Sequence, residues 1–258
     1  MSATLTAAGL TVRYGGVRAL SGVDLTVEPG TLVGLIGPNG AGKTTCIDAL
    51  TGFASATGRV RLGGDDLTGL RPDVRARRGL ARTWQAGELF GDLTVRENLL
   101  VAAGHRSWRQ AITEFLGRSA PDPAAAEEAL DLLGLREHAG TMPDELSHGT
   151  RKLVGVARAV ASRPHVLCLD EPAAGLDAGE SRELGERLRS VAGTGTGVLL
   201  VDHDMDLVLS ACDSVVVLEF GEVIASGAPD DVRRDPRVVA AYLGGAAATP
   251  DDQQEARS

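Results

Sequence analysis

The chain opens with alternating apolar and polar positions in two short pieces, 5–14 and 20–27, broken at Gly15-Gly16 and closed by Pro29-Gly30. Period-two alternation with glycine and proline punctuation predicts antiparallel strands that turn one face to a core. Arg59-Val-Arg-Leu62, followed by Gly63-Gly64, reads as another strand of the same sheet. At Thr31-Leu-Val-Gly-Leu-Ile36 the polar positions vanish, and they vanish again at 166–169, 198–201 and 215–218. Continuous apolar runs of this length fit strands buried on both faces of a parallel sheet. Between 86 and 164 the period becomes helical: 124–133 sets Ala126, Leu130 and Leu133 on one face and stops at Gly134. Leu153, Ala157 and Val160 repeat that spacing ahead of Arg163-Pro164, and 179–191 is a further helical stretch between two buried runs. The order predicts an α/β fold, a parallel sheet wrapped by helices with an antiparallel β part and a helical insertion. There is no internal repeat. The tail 245–258, rich in Ala, Gly, Asp and Gln, is expected to be disordered.

Length changes this picture little, since 258 residues suit one large α/β domain or two modest ones. Charge is more selective. A formal net charge of −9 disfavours broad electrostatic binding, so no nucleic-acid partner is expected. Cys46, Cys168 and Cys212 stand far apart in apolar runs, which predicts buried free thiols in a reducing compartment rather than a metal site. No apolar stretch approaches the roughly 20 residues of a membrane helix, and no basic segment leads an apolar core at the start, so the chain reads as soluble and cytoplasmic. Arg71, Arg75, Arg78 and Arg82 recur at spacings of three and four, with Pro72 at a helix start and Gly79 at its end. Two readings fit them: a solvated helix face, or a dock for an acidic patch on a partner.

The chemistry concentrates behind the first buried run, where Gly37, Pro38, Asn39, Gly40, Ala41, Gly42, Lys43, Thr44 and Thr45 follow in order. Glycines let the backbone curl so that successive N–H groups face phosphate oxygens, and the helix that follows, ending at Gly52, adds its positive end. Lys43 is expected on the β/γ-phosphates and the Thr44 hydroxyl on Mg²⁺. A plain glycine-rich turn has no use for a lysine and hydroxyl in this order. Val166-Leu-Cys-Leu-Asp170-Glu171-Pro172 then delivers two adjacent carboxylates at a strand end. Asp170 fits the metal and Glu171 the general base, although an Asp-Glu pair can also cap a helix. His203 follows the run 198–201 and falls on the same sheet edge, where a γ-phosphate contact competes with a surface role. Leu146-Ser147-His148-Gly149-Thr150 precedes another helix. Ser147 is either its cap alone or part of a second anion site that serves a neighbouring chain.

These segments together resemble the ATP-binding subunits of ABC transporters over about residues 4–244, with the insertion at about 86–164. GPNGAGKTT resembles the Walker A loop of that family, VLCLDEP its Walker B strand and LSHGT its signature motif. The resemblance implies a P-loop NTPase fold of the ABC type, an α/β core with an antiparallel β subdomain and a helical subdomain. It implies ATP and Mg²⁺ as ligands, Tyr14 stacked on adenine, Gln85 as the Q-loop glutamine beside the metal, Asp177 in the D-loop and His203 as the switch histidine. It also implies head-to-tail pairing, in which Ser147 and Gly149 reach the γ-phosphate of a second ABC ATPase subunit, identical or a sister. Further partners implied are membrane permease subunits and an extracytoplasmic solute-binding protein, with this chain peripheral on the inner face of the membrane.

Softer matches point within the family to the ATPases of branched-chain amino acid importers. They are Ala81-Arg-Thr-Trp-Gln85 with Leu89-Phe90, the helix from Leu93 to Ala102, Asp202-His-Asp-Met205, and the ending Asp235-Pro-Arg-Val with Ala241-Tyr-Leu-Gly244. Thr150 stands where the signature usually has glutamine, and Asp177 where the branched-chain group often has asparagine. The stretch 103–123 is shorter than the matching insertion in many relatives. A soluble ABC-type ATPase that remodels a protein or nucleic-acid machine, and a nucleotide-binding module without turnover, are the competing functions. Glu171 and His203 argue against the latter.

Overall fold

A computed structural model describes residues 3–83, 89–103 and 122–244. Strands β1 (Leu5–Tyr14) and β2 (Val17–Val27) form a hairpin in which Tyr14 pairs with Val17 across Gly15-Gly16. The second strand therefore starts three residues earlier than the alternation suggests, because the two-glycine turn restores pairing at once. After β3 (Leu32–Ile36) come β4 (Thr57–Leu62) and β5 (Asp65–Asp66), which complete an antiparallel sheet in the order β2-β1-β4-β5. The strands β6 (Leu80–Arg82), β7 (Val166–Asp170), β8 (Gly197–Val201), β9 (Ser214–Glu219) and β10 (Glu222–Gly227) join β3 in a second sheet, ordered β10-β9-β3-β8-β7-β6. It is parallel except for β10, which runs antiparallel to β9.

Every residue of β3, β7 and β8 is buried, as continuous apolar runs require. Period-two geometry divides these strands between two cores. Val33, Leu35, Cys168, Leu199 and Val201 face the antiparallel sheet and α1 (Lys43–Thr51), while Leu32, Ile36, Leu167, Leu169 and Leu200 face the opposite way. That second core takes in α3 (Val95–Ala103), α4 (Pro123–Leu132), α5 (His148–Ala161), α6 (Ala178–Gly193) and α7 (Met205–Ala211). Each fully buried leucine contributes about 1.5–3 kcal/mol to such a core. The helices α2 (Pro72–Arg77), α8 (Pro229–Arg234) and α9 (Pro236–Gly244) complete the described α-helices, with 3₁₀ turns at Arg136–His138 and Pro143–Glu145. The three cysteines are free and buried, and burial pushes their thiols up to about 12. No helix among the described residues is long and apolar enough to cross a membrane. The expected tail and most of the short stretch 103–123 lie outside the described residues.

Two of the four arginines, Arg75 and Arg82, depart from the solvated helix face that their spacing suggests. Arg75 turns inward, is 5% exposed, and donates to the carbonyls of Ala49 (2.8 Å), Leu50 (2.5 Å) and Leu70 (2.9 Å). The carbonyls of Ala49 and Leu50 lie in the last turn of α1, where a helix lacks its own donors, so the guanidinium is a cap rather than a solvated charge. Arg82 lies beyond α2 on β6 and is buried as well. Only Arg71 and Arg78 stay outside, paired with Asp73 and Asp65.

One turn carries visible strain. Phe220 and Gly221 link β9 to β10 with φ of +47° and +80°, the signature of a type I′ hairpin, and the phenylalanine is 86% exposed. A left-handed conformation costs a non-glycine residue about 1–2 kcal/mol, and asparagine tolerates it best. Phe220→Asn should therefore stabilise the fold by about 1 kcal/mol; an unchanged or lower urea midpoint would contradict this.

Candidate functional site

The site is assembled where β3, β7 and β8 end. After Ile36 the chain curls through 37–42 into α1, whose N-cap Gly42 has φ +101° and no side-chain cap. The glycines here answer to space as well as angle: a Cβ on Gly42 would lie 2.7 Å from the Ala19 carbonyl oxygen, and one on Gly37 only 2.1 Å from that of Leu218. The Gly221 amide donates to the Ala41 carbonyl at 3.0 Å and the Ser21 amide to the Gly221 carbonyl at 2.9 Å. Loop, hairpin turn and β2 are thus locked together. A cleft of about 400 Å³ opens over the loop, walled in part by Val17, Asn39, Lys43, Thr44, Glu171 and Phe220.

Lys43 is buried and donates to the carbonyls of Gly37 (2.7 Å) and Pro38 (3.0 Å). Its ammonium is therefore folded onto its own loop. Burial holds it below the usual lysine range, and Glu171, Asp170 and Asp202 pull the other way, which places three carboxylates in its field. Thr44 is exposed in the first turn of α1, beside half-buried Thr45.

Asp170 ends β7 and is 3% exposed. One carboxylate oxygen accepts from Arg82 Nη2 at 2.9 Å; the other, Oδ1, is buried and has no hydrogen-bond partner among the described residues. Burial raises its pKa and the Arg82 guanidinium lowers it. An unmatched buried acceptor is costly unless something polar is brought to it. Among the described residues no group of three His, Cys, Asp or Glu side chains could hold a metal alone. That fits Mg²⁺, which takes one or two protein oxygens, several waters and substrate phosphates instead of a protein cage.

Glu171 follows with φ +49°, its amide donating to the Val201 carbonyl at 2.7 Å. A non-glycine residue held left-handed at a strand end is the kind of strain that accumulates at working sites. His203 stands beyond β8 with its side chain 61% exposed and Nδ1 3.5 Å from Asp202 Oδ1. Asp202 is fully buried and accepts from the amides of His203 (2.8 Å), Asp204 (3.1 Å) and Ala173 (3.0 Å). It therefore ties the turn after Glu171 to the turn carrying His203. The sequence places it only in the family match Asp202-His-Asp-Met205 and gives it no role, although it repeats the signal of Asp170, a carboxylate following an apolar strand. Lys152 was also missed: on α5 it reads as a solvated charge, yet its Nζ donates to the Pro172 carbonyl at 3.1 Å.

The remaining expected residues sit in varied settings. Tyr14 ends β1 and is 54% exposed, across the hairpin from Val17 on the cleft wall. Ser147 caps α5, its Oγ accepting from the Thr150 amide at 3.1 Å and lying 2.9 Å from the Thr150 hydroxyl. Gly149 packs so closely on α6 that a Cβ there would lie 2.5 Å from Glu180 Oε1, a reason for glycine internal to the chain. Asp177 caps α6 through the amides of Gly179 (2.7 Å) and Glu180 (2.8 Å). No hydrogen bond among the described residues joins Ser147, Gly149 or Asp177 to the phosphate loop. Gln85 lies outside the described residues.

Residues 20–174 match the family model described as ABC transporter, and residues 222–248 the model described as Branched-chain amino acid ATP-binding cassette transporter. The chain is 40% identical over 245 residues to the high-affinity branched-chain amino acid transport ATP-binding protein LivG of Escherichia coli K12, covering 92% of this chain and 96% of that one. It is 41% identical to BraF, the protein of the same description from Pseudomonas aeruginosa, over 93% of this chain and 97% of the relative. Among solved structures it is similar to the ADP conformation of MJ1267, an ATP-binding cassette of an ABC transporter, with a TM-score of 0.79 and 31% identity. That match covers 95% of this chain and all of the other.

Proposed function

The chain belongs to the ABC transporter family as an ATP-binding subunit, and we propose that the solute it helps import is a branched-chain amino acid or a related small molecule. Its activity is ATP hydrolysis coupled to transport. The observation that supports the catalytic assignment most strongly is the meeting of buried Lys43 with Asp170 and Glu171 at the end of one sheet.

In this reading the amides of 37–42 and the N-terminus of α1 cradle the phosphates, and Lys43 exchanges its own loop carbonyls for β/γ-phosphate oxygens. Thr44, Gln85 and the unmatched oxygen of Asp170 would hold Mg²⁺, directly or through its waters, and the cation would neutralise charge on the phosphates. Glu171 accepts the proton of the attacking water, and His203, steadied by Asp202, contacts the γ-phosphate. Tyr14 stacks on adenine. Tyr14→Ala should weaken nucleotide binding by about 1–3 kcal/mol, the usual worth of base stacking on an aromatic ring; equal affinity in a fluorescence titration would reassign Tyr14 to structure.

The caps at Ser147 and Asp177 leave room for a second role across a pair of chains. Ser147 and Gly149 of one ATPase subunit complete the γ-phosphate site of the other, whether that other is a second copy or a sister chain, and Asp177 lies at the same junction. The helical part, about 86–164, passes the closing motion to permease subunits on the inner face of the membrane, with an extracytoplasmic solute-binding protein on the far side. Mild detergent extraction of the native membrane, with this chain as bait, tests the assignment. Permease subunits should copurify; a soluble protein or nucleic-acid assembly in their place would favour the remodelling alternative.

A further inference from the structure

Arg82 belongs to none of the nucleotide motifs, only to the softer match Ala81-Arg-Thr-Trp-Gln85, yet its side chain reaches Asp170, Asp48 and Phe53. It is the last residue of β6, where it pairs with Cys168 of β7, and the following amide, of Thr83, donates to the Cys168 carbonyl at 3.0 Å. The backbone is thus fixed two residues from Asp170. Its side chain is 7% exposed. Nη2 donates to Asp170 Oδ2 at 2.9 Å, Nη1 donates to Asp48 Oδ1 and lies 3.5 Å from the Thr51 hydroxyl, and the Phe53 ring lies 5.7 Å from Cζ. Asp48 sits in α1, the helix that begins at Lys43.

One guanidinium therefore joins the helix of the phosphate loop to the strand that carries the metal carboxylate. We propose that Arg82 is a positioning residue for hydrolysis: by engaging one oxygen of Asp170 and anchoring it to α1 through Asp48, it presents the other oxygen to the cation. The argument is geometric. A carboxylate at a strand end rotates freely unless one oxygen is held, and here the held oxygen is Oδ2 while Oδ1 is buried and unmatched. A planar fork can grip two carboxylates at once; an ammonium is a point charge with no such fixed directions. Groups that orient a ligand carboxylate typically change metal affinity by about 10–100-fold when removed.

The inference rests on the assignment of Asp170 to the cation, and the experiment separates the two. Mn²⁺ binding is measured by electron paramagnetic resonance on the intact chain with a non-hydrolysable ATP analogue, for wild type, Asp170→Asn, Arg82→Lys and Asp48→Asn. Expected for Arg82→Lys is a Mn²⁺ dissociation constant raised about 10–100-fold, with affinity for the metal-free analogue unchanged and ATPase activity recovered at high Mg²⁺. A purely structural arginine would lower the melting temperature and leave the metal constant alone, and that result overturns the inference. Should Arg82→Lys not fold, Asp48→Asn decides, with a smaller rise expected and no rise contradicting the proposal. Weakened metal binding in Asp170→Asn but not in the deciding variant refutes the role of Arg82 alone; equal binding by wild type and Asp170→Asn refutes the underlying metal assignment.

Discussion

Lys43→Ala should abolish nucleotide binding at working concentrations while leaving the fold in place. The ammonium is the cation of the phosphate loop, and its partners without nucleotide are two loop carbonyls, Gly37 and Pro38, that it can give up without disturbing a core. Charge-assisted hydrogen bonds are worth about 1.5–3 kcal/mol each, so losing two to phosphate oxygens lowers affinity by about 100-fold or more. Burial already holds this lysine below its usual pKa, which marks a group ready to gain from an incoming anion. Calorimetric titration with ATP reads the result directly. Affinity within a factor of a few of wild type would remove Lys43 from the site and undo the loop assignment.

Glu171→Gln should act at the opposite end of the reaction. The amide keeps the size of the side chain, and the left-handed backbone at φ +49° is set by strand β8 and the turn rather than by the carboxylate, so ATP binding persists. What disappears is the proton acceptor. A positioned general base contributes about 10²–10⁴-fold, and steady-state phosphate release should fall by that factor. Loss of binding together with turnover would instead mean that the carboxylate supports the loop.

Much of this was legible because the signals were local. The buried runs, their glycine boundaries and the loop at 37–45 depend on residues adjacent in sequence, and β3, β7, β8, β9 and α1 fall where the pattern puts them. What escaped was set by contacts between distant elements. The three-residue β6 has too few positions to show a period, and edge strand β10 carries only the short apolar run Val223-Ile224-Ala225. Arg75 and Arg82 look helical and solvated by spacing, but one caps α1 and the other bridges Asp48 to Asp170, partners 25 or more positions away. The contacts of Asp202 and Lys152 were hidden for the same reason: the bond of Asp202 to Ala173 exists only once β7 and β8 lie side by side, and that of Lys152 to Pro172 only once α5 packs against the end of β7. The cap at Ser147 was legible because it is local to α5, while the close contact of Gly149 with Glu180 emerges only from the packing of α5 on α6.

The central claim is that this chain cleaves ATP at the ends of β3 and β7 with Glu171 as base. The most direct measurement is the identity of the nucleotide retained after Mg²⁺ and a stoichiometric amount of ATP are added, followed by acid quench and chromatography. ADP should accumulate on wild type while intact ATP persists on Glu171→Gln. ADP appearing at the same rate on both would contradict the account.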